Sequence, residues 1–238
     1  MFPWAGAALR ERIVRRWSAR LLRICGVRVA AGDTPRLAHG LVVANHVSWL
    51  DIFLINAACP CRFVAKAEIR SWPVLGWLAA RARTVFIARG NRRDLRHIFQ
   101  GLVAALAAGE RVALFPEGTT ASQGALLTFH ANLFEAALDA HVPVQPVALA
   151  YLRADGGWHP AVDYVGDDTF VDSLHRILGA DEPVLARLVP LAPIAPAGRH
   201  RRELAAEAQA VIGAALGHTA PARSDVTPAQ ARTQFAGN

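Results

Sequence analysis

Apolar residues along this chain fall into two alternating kinds of segment. Short runs rich in β-branched residues predict strands, and longer stretches with apolar residues three and four positions apart predict helices. The predicted strands span residues 40–44, 62–65, 83–87, 111–115 and 144–151, with weaker candidates at 161–165 and 184–189. The predicted helices span residues 50–57, 74–81, 92–108, 129–140, 170–178 and 202–216. This alternation predicts an α/β fold with a mixed, largely parallel central sheet flanked by helices.

The amino-terminal segment predicts a basic amphipathic helix that ends at Gly26. Apolar residues recur at positions 13, 17, 21 and 24, which is helical spacing. Six arginines lie between and beside them: Arg10, Arg12, Arg15, Arg16, Arg20 and Arg23. A helix of this kind lies in a membrane interface. It can equally be an ordinary surface helix that packs on the domain, and both interpretations stay open at this point.

Composition and pattern divide the chain into three parts. Residues 1–26 form the predicted interface helix, 27–217 the α/β domain, and 218–238 a tail whose Ala, Pro, Thr, Gln and Arg content predicts disorder. Apolar residues make up 53% of the 238, yet no run of 18 apolar residues occurs, so a membrane-spanning helix is not expected. Cys25, Cys59 and Cys61 lack the spacing of a disulfide framework or a zinc site, which favours reduced thiols in the cytoplasm.

The net charge of +7 favours an anionic partner such as acidic lipid headgroups, a phosphorylated small molecule or nucleic acid. Nucleic acid is the weakest of these, because single-stranded recognition needs exposed aromatic side chains among the basic residues, and none is evident. The pattern therefore favours a membrane surface or a small anionic substrate.

A histidine and a carboxylate lie five positions apart, directly after the apolar run 41–44. Within one helix the pair would point about 140° apart and could not touch. If the strand ends at Ala44 and a helix begins near Ser48, His46 lies in the turn and Asp51 in the first helical turn, where they can meet. The carboxylate would then hold one imidazole nitrogen and leave the other to accept a proton from a hydroxyl. The alternative is that Asp51 only caps the helix.

Two further polar turns follow predicted strands. Glu117 comes after the run 111–114, between Pro116 and Gly118, and Arg89 follows the run 84–87. Strands of a parallel sheet present such turns at their carboxyl ends, so we expect these residues to lie on the same side as His46. Arginine suits bidentate contact with a phosphate.

Four segments in order resemble the glycerolipid acyltransferase family, typified by 1-acylglycerol-3-phosphate acyltransferases. They are NH-x4-D at 45–51, FIAR at 86–89, FPEGT at 115–119 and VQPV at 144–147. The resemblance extends over about residues 17–152. It implies that His46 and Asp51 are catalytic, that Arg89 binds acceptor phosphate, and that Asn45, Glu117, Gly118 and Thr119 contribute to substrate binding.

The resemblance also implies a single-step reaction without a covalent enzyme intermediate. His46 takes the proton of a lysolipid hydroxyl, and the oxygen attacks the thioester of acyl-coenzyme A or acyl carrier protein. We expect no metal and no cofactor beyond this cosubstrate. The favoured acceptor is 1-acyl-sn-glycerol-3-phosphate, which would give phosphatidic acid, and the expected location is the cytoplasmic face of the inner membrane, as a peripheral or monotopic protein.

One position departs from the family pattern. Many members carry arginine where this chain has Thr120, so one candidate phosphate ligand is missing. Lyso-ornithine lipid or another lysolipid therefore stays open as the acceptor, and a binding module without catalysis is the third possibility.

Overall fold

The structure is a computed structural model, and it describes residues 6–30, 37, 39–66, 85–87 and 92–217. Within these ranges the α-helices are α1 (Ala7–Ile24), α2 (Leu50–Ala58), α3 (Arg92–Ala107), α4 (Glu135–Asp139), α5 (Phe170–Leu178) and α6 (Arg201–Ala215). The strands are β1 (Val27–Val29), β2 (Gly40–Ala44), β3 (Arg62–Lys66), β4 (Val85–Ile87), β5 (Arg111–Leu114), β6 (Val144–Leu152) and β7 (Val184–Pro190).

The seven strands form one sheet in the order β1-β7-β6-β2-β5-β3-β4. Only the β6–β7 pair is antiparallel, and every other neighbouring pair is parallel. The predicted α/β fold with a largely parallel sheet is confirmed. Because β2, β5 and β6 run in the same direction, the loops that follow them meet at one end of the sheet, here called the carboxyl end.

Helices cover both faces of the sheet, which explains why β2 is buried along its whole length. Val42 and Ala44 point into a core formed with α1, α2 and α5. Leu41 and Val43 point to the opposite face, where α3, α4 and α6 pack. Alternate side chains of one strand therefore enter two separate cores, as the two-residue period of a strand requires.

The amino-terminal helix α1 packs on α2, with the Trp17 and Phe53 rings edge to face at 5.5 Å. Leu22 and Cys25 are buried, whereas Ile24, expected on the apolar face, is 64% exposed. Five of the six arginines are also exposed. One face of α1 thus packs on the domain, and an arginine face remains at the surface. No described helix is long and apolar enough to cross a bilayer.

Two predictions of secondary structure were wrong. Residues 161–165 are not a strand, because Pro160 begins a 3-10 turn and the His159 side chain accepts the amide of Ala161. The predicted helix 129–140 is instead a 3-10 turn at Ala131–Phe134 followed by the short α4. Strand β1 was missed, since three residues are too few to show a period. The predicted helix 74–81 and tail 218–238 lie outside the described residues.

Candidate active site

His46 and Asp51 meet at the carboxyl end of β2. The strand ends at Ala44, residues 45–48 form the turn, and α2 begins at Leu50. Asp51 Oδ2 lies 2.8 Å from His46 Nδ1. The five-residue spacing works because the pair bridges a turn and a helix start and does not lie in one helix. The two residues are in the contact that the sequence predicted, and their catalytic role stays a prediction.

Asp51 also caps the start of the turn and helix. The carboxylate therefore does both things that the sequence offered as alternatives: it holds the imidazole and it accepts main-chain amides. Its Oδ2 accepts the main-chain amides of Val47 at 2.7 Å and Ser48 at 2.9 Å. The residue is fully buried, and Tyr151 donates its hydroxyl to Oδ1 at 2.7 Å. Four donors therefore compensate for the loss of water around this carboxylate.

The imidazole of His46 is held flat against Phe115. The ring centroids are 3.9 Å apart and the planes differ by 7°. The side chain of His46 is 19% exposed, and no hydrogen bond from the described residues occupies Nε2. With Nδ1 directed at Asp51, the tautomer that carries its proton on Nδ1 leaves Nε2 unprotonated and able to accept a proton.

Glu117 braces the His46 loop from the adjacent strand end. Its Oε1 accepts the His46 amide at 2.7 Å and its Oε2 accepts the Leu127 amide at 2.7 Å. The side chain is only 4% exposed. Burial raises the pKa of Glu117 to about 7, against the lowering effect of the two amides.

Both Glu117 oxygens are thus committed to main chain, which favours a loop-positioning role over direct contact with an acceptor. The neighbouring Gly118, at φ +72°, and Thr119 are exposed at the same end of the sheet. Substrate contacts by Glu117, Gly118 and Thr119 stay predictions.

Asn45 clamps β2 to β6. Its Nδ2 donates to the Leu149 carbonyl at 2.9 Å, and its Oδ1 accepts the Leu149 amide at 2.8 Å. The side chain is buried, at 4% exposure. Because both ends of the amide are used within the sheet, the geometry favours a structural role, and the predicted substrate contact of Asn45 stays a prediction. Arg89 lies outside the described residues, so its proposed phosphate contact has no structural account.

Main-chain hydrogen bonds connect the turn after Glu117, the loop of His46 and Val47, and Tyr164. Ala121 donates its amide to the His46 carbonyl at 2.8 Å, and Tyr164 donates its amide to the Val47 carbonyl at 3.1 Å. Thr120, the position that departs from the family pattern, donates its hydroxyl to the Tyr164 carbonyl. The Thr120 side chain therefore bonds the main chain of Tyr164, and it supplies no positive charge to this end of the sheet.

Sequence reasoning missed Tyr151 and Gln123. Tyr151 follows Val147 and Leu149 on the β6 face that packs against α2, so strand parity would have placed its ring beside Asp51. Gln123 accepts the Tyr151 amide at 2.7 Å, and no sequence pattern marked it. Within the residues that the structure describes, no three His, Cys, Asp or Glu gather as a metal site would need. That the reaction needs no metal or cofactor stays a prediction.

The fold and the His46–Asp51 contact together describe an α/β protein with a buried carboxylate paired to a histidine at the carboxyl end of its sheet. A model of the Acyltransferase family matches residues 27–150, about half of the chain. The chain belongs to the Acyltransferase family and is an acyltransferase, which confirms the resemblance drawn from the four motifs.

Relatives of known name agree with this membership. The chain is 44% identical to the lyso-ornithine lipid O-acyltransferase of Pseudomonas aeruginosa over 89% of its length and 81% of that enzyme. It is 50% identical to the 1-acyl-sn-glycerol-3-phosphate acyltransferase of Neisseria gonorrhoeae over 116 residues, which cover 49% of this chain and 46% of that enzyme.

A solved structure shares the fold. The crystal structure of the 1-acyl-sn-glycerophosphate acyltransferase PlsC from Thermotoga maritima superposes with a TM-score of 0.63 at 23% identity. The superposition covers 87% of this chain and 78% of that one. At this identity the likeness shows the fold alone.

Proposed function

We propose that this protein transfers a fatty acyl chain from a thioester, acyl-coenzyme A or acyl carrier protein, to the hydroxyl of lyso-ornithine lipid. The observation that carries the proposed chemistry is the 2.8 Å contact between His46 Nδ1 and Asp51 Oδ2, with Nε2 left open. A neutral imidazole held in this tautomer is a suitable base for an alcohol.

In the proposed reaction His46 Nε2 takes the proton of the acceptor hydroxyl while the oxygen attacks the acyl carbon. A new ester C–O bond forms, the C–S bond breaks, and the thiolate leaves. The proton on His46 then passes to the thiolate, so the histidine ends as it began. Asp51 stabilises the transient imidazolium and holds its ring orientation.

Two observations support lyso-ornithine lipid as the acceptor. The Pseudomonas aeruginosa relative that carries this name matches 89% of the chain, whereas the match to the Neisseria gonorrhoeae enzyme spans 116 residues. Thr120 also replaces the arginine common in the family, and ornithine, an amino acid, has no phosphate that needs such a ligand. The acceptor favoured from sequence, 1-acyl-sn-glycerol-3-phosphate, becomes the second candidate, supported by the 50% identity of that matched segment.

The experiment is an acyl-transfer assay with purified protein and a panel of acceptors. Release of free thiol is followed from acyl-coenzyme A and from acyl carrier protein, with lyso-ornithine lipid, lysophosphatidic acid and lysophosphatidylcholine offered in mixed micelles. We expect the largest kcat/KM with lyso-ornithine lipid and an acylated product by mass spectrometry. Preference for lysophosphatidic acid would select the second candidate, and inactivity with all acceptors would contradict the enzyme assignment of this chain.

We further propose that the carboxyl end of the sheet faces the bilayer, at the cytoplasmic face of the inner membrane. The end of α1 and the end of α5 border a cleft of about 440 Å³, where Ile24 is 64% and Leu178 is 53% exposed. Arg23 and Arg28 line the same cleft. Apolar side chains beside arginines favour the interface of an anionic bilayer.

Sedimentation with vesicles tests this orientation. We expect binding to vesicles with anionic lipid, and several-fold weaker binding by an Ile24→Ser, Leu178→Ser double variant because its exposed apolar area is smaller. Leu9, 42% exposed at the opposite end of α1, provides the matched control, and Leu9→Ser should bind as wild type. Equal binding by all three proteins would contradict the proposed orientation.

A further inference from the structure

The two oxygens of Asp51 have different partners. Oδ2 accepts three hydrogen bonds, from His46 Nδ1 and from the amides of Val47 and Ser48. The partner that the structure gives Oδ1 is the hydroxyl of Tyr151, at 2.7 Å. An ionised carboxylate can only accept, so the phenol donates. The Tyr151 hydroxyl is therefore the donor that the structure gives to the Asp51 oxygen that does not contact His46.

Burial and main-chain hydrogen bonds hold Tyr151 in place. The residue has no exposed surface, and it lies near the end of β6. Its amide donates to Gln123 Oε1 at 2.7 Å, and its carbonyl accepts the His159 amide at 2.9 Å. Gln123 Nε2 in turn donates to the His159 carbonyl at 3.1 Å. The hydroxyl cannot turn away from Asp51 without disturbing β6 and both loops.

We propose that Tyr151 is a positioning residue of the acyl transfer, acting on His46 through Asp51. By donating to Oδ1 it fixes the rotation of the carboxylate that aims Oδ2 at the imidazole. It also draws charge away from Oδ2, which limits how strongly Asp51 favours the imidazolium. This inference rests on the proposed acyl transfer.

Several other ionisable residues lie near the pair: His159 contacts Tyr151 and Gln123 through its main chain, and the exposed His130 ring lies beside Gly118. Glu117 contacts the His46 amide from the loop after β5, and Asp163 lies one contact further away, on the Gln123 amide. Burial raises the pKa of Tyr151 well above its usual value, so its hydroxyl remains a donor at every pH at which the enzyme would work. These four residues are the same in every protein that is compared, so they do not account for a difference between variants.

The first test is Tyr151→Phe, which removes one hydroxyl and keeps the ring. We expect kcat to fall about tenfold with KM within about twofold, since the interaction acts on the reacting base. The acid side of the profile of kcat against pH should move to higher pH, because without the Tyr151 hydroxyl more negative charge stays on the Asp51 oxygen that contacts the imidazole.

The matched control is Asn56→Ala, which also removes one buried hydrogen bond, to the Cys61 amide at 3.0 Å, at the far end of α2. It should lower thermal stability without moving the pH profile. An unchanged profile in Tyr151→Phe, or an equal shift in Asn56→Ala, would overturn the proposal.

A second test keeps the side chain and strengthens the donor. The chain has only two tyrosines, so 3-fluorotyrosine incorporated into a Tyr164→Phe background labels Tyr151 alone. A more acidic phenol should move the acid side of the profile to lower pH than in the unlabelled Tyr164→Phe protein, opposite to Tyr151→Phe. Shifts in the same direction would overturn the proposal.

The same shifts can be read without turnover, from the NMR titration of the His46 ring. The ring resonances are assigned by comparison with His46→Gln. If no acceptor is turned over, the proposed function fails, while opposite shifts of the His46 titration in the phenylalanine and fluorotyrosine proteins would still support the contact through Asp51. An unmoved titration in both proteins would overturn the positioning role itself.

Discussion

The two ends of strand β2 are held in place by different means. At the amino end, Gly40 has φ +133° and lies so close to β6 that an added Cβ would be 2.2 Å from the Pro143 carbonyl oxygen. At the carboxyl end, buried polar side chains bond main chain across loops, with Asn45 on Leu149 and Glu117 on His46. The first end depends on the absence of a side chain, and the second on satisfied hydrogen bonds.

This difference predicts where mutations act. Changes at the amino end of β2 should affect the stability of the fold and leave the chemistry of each folded molecule intact. Changes at the carboxyl end should affect turnover more than stability, because the buried polar groups there hold the proposed base. Buried polar groups are costly unless each is paired, and at this end they are paired around one histidine.

The largest expected effect is that of Asp51→Asn. The amide oxygen can take the place of Oδ2, but the amide nitrogen then stands as a donor against the Tyr151 hydroxyl, and no negative charge remains beside the imidazolium. We expect kcat to fall by about 10²–10⁴-fold, the range of positioned acid-base catalysis. Circular dichroism serves as the control for folding. Turnover within a few-fold of wild type in a folded Asp51→Asn protein would remove the distinction between the two ends.

Gly40→Ala should give the next largest effect, on stability. The clash is with a main-chain carbonyl that already accepts the Leu41 amide at 3.0 Å, so neither side can yield easily. We expect a loss of several kcal/mol in the free energy of unfolding, measured with urea.

Gly26→Ala is the matched control for Gly40→Ala. Gly26 also has positive φ, +71°, but no atom lies within 4 Å of the added Cβ, so only the backbone cost of about 1 kcal/mol should appear. Equal losses in the two variants would show that the close approach to β6 contributes nothing. A fall in kcat for folded Gly40→Ala would contradict the division between the ends of β2.

The pH dependence of stability gives a smaller, separable effect at the carboxyl end. Burial raises the pKa of Glu117 from 4.5 to about 7. Folding therefore favours the protonated acid, and the contribution is complete below pH 4.5 and lost as pH rises to about 7. At 1.36 kcal/mol per unit this amounts to roughly 3 kcal/mol between those limits.

The measurement is urea unfolding at a series of pH values for wild type and Glu117→Gln. The glutamine variant cannot titrate, so the difference in unfolding free energy between the two proteins should change between pH 4.5 and 7 and stay flat above about 7. A difference that is constant across this range would contradict the raised pKa of Glu117. It would also contradict the burial of Glu117 against the His46 loop.

Much of the fold was predictable because each element has its own apolar period. Helix 170–178 and strand 40–44 were predicted with the bounds that the structure gives. The predicted strand at 161–165 failed because Pro160 and the His159 side chain form a turn whose apolar residues fill the core. Local side chain to backbone contacts of this kind leave no period in the sequence.

The site was predictable where its members are close in sequence. His46 and Asp51 are five residues apart, so a turn brings them together whatever the remainder of the chain does. Tyr151 lies 100 residues from Asp51, and only the pairing of β6 beside β2 brings them into contact. The sequence also could not predict that both Glu117 oxygens accept main-chain amides, because an irregular loop brings the Leu127 amide to Glu117.

The central claim is that His46 is the base that activates the acceptor hydroxyl, and the most direct measurement is the turnover of His46→Ala. Acyl transfer from the thioester to lyso-ornithine lipid is compared with wild type at matched protein concentration and pH, with circular dichroism to show that both are folded. The arrangement around His46 predicts that kcat falls by at least about 10²-fold, because the variant removes the imidazole that Asp51 holds in place. Wild-type turnover in the folded alanine variant would contradict it.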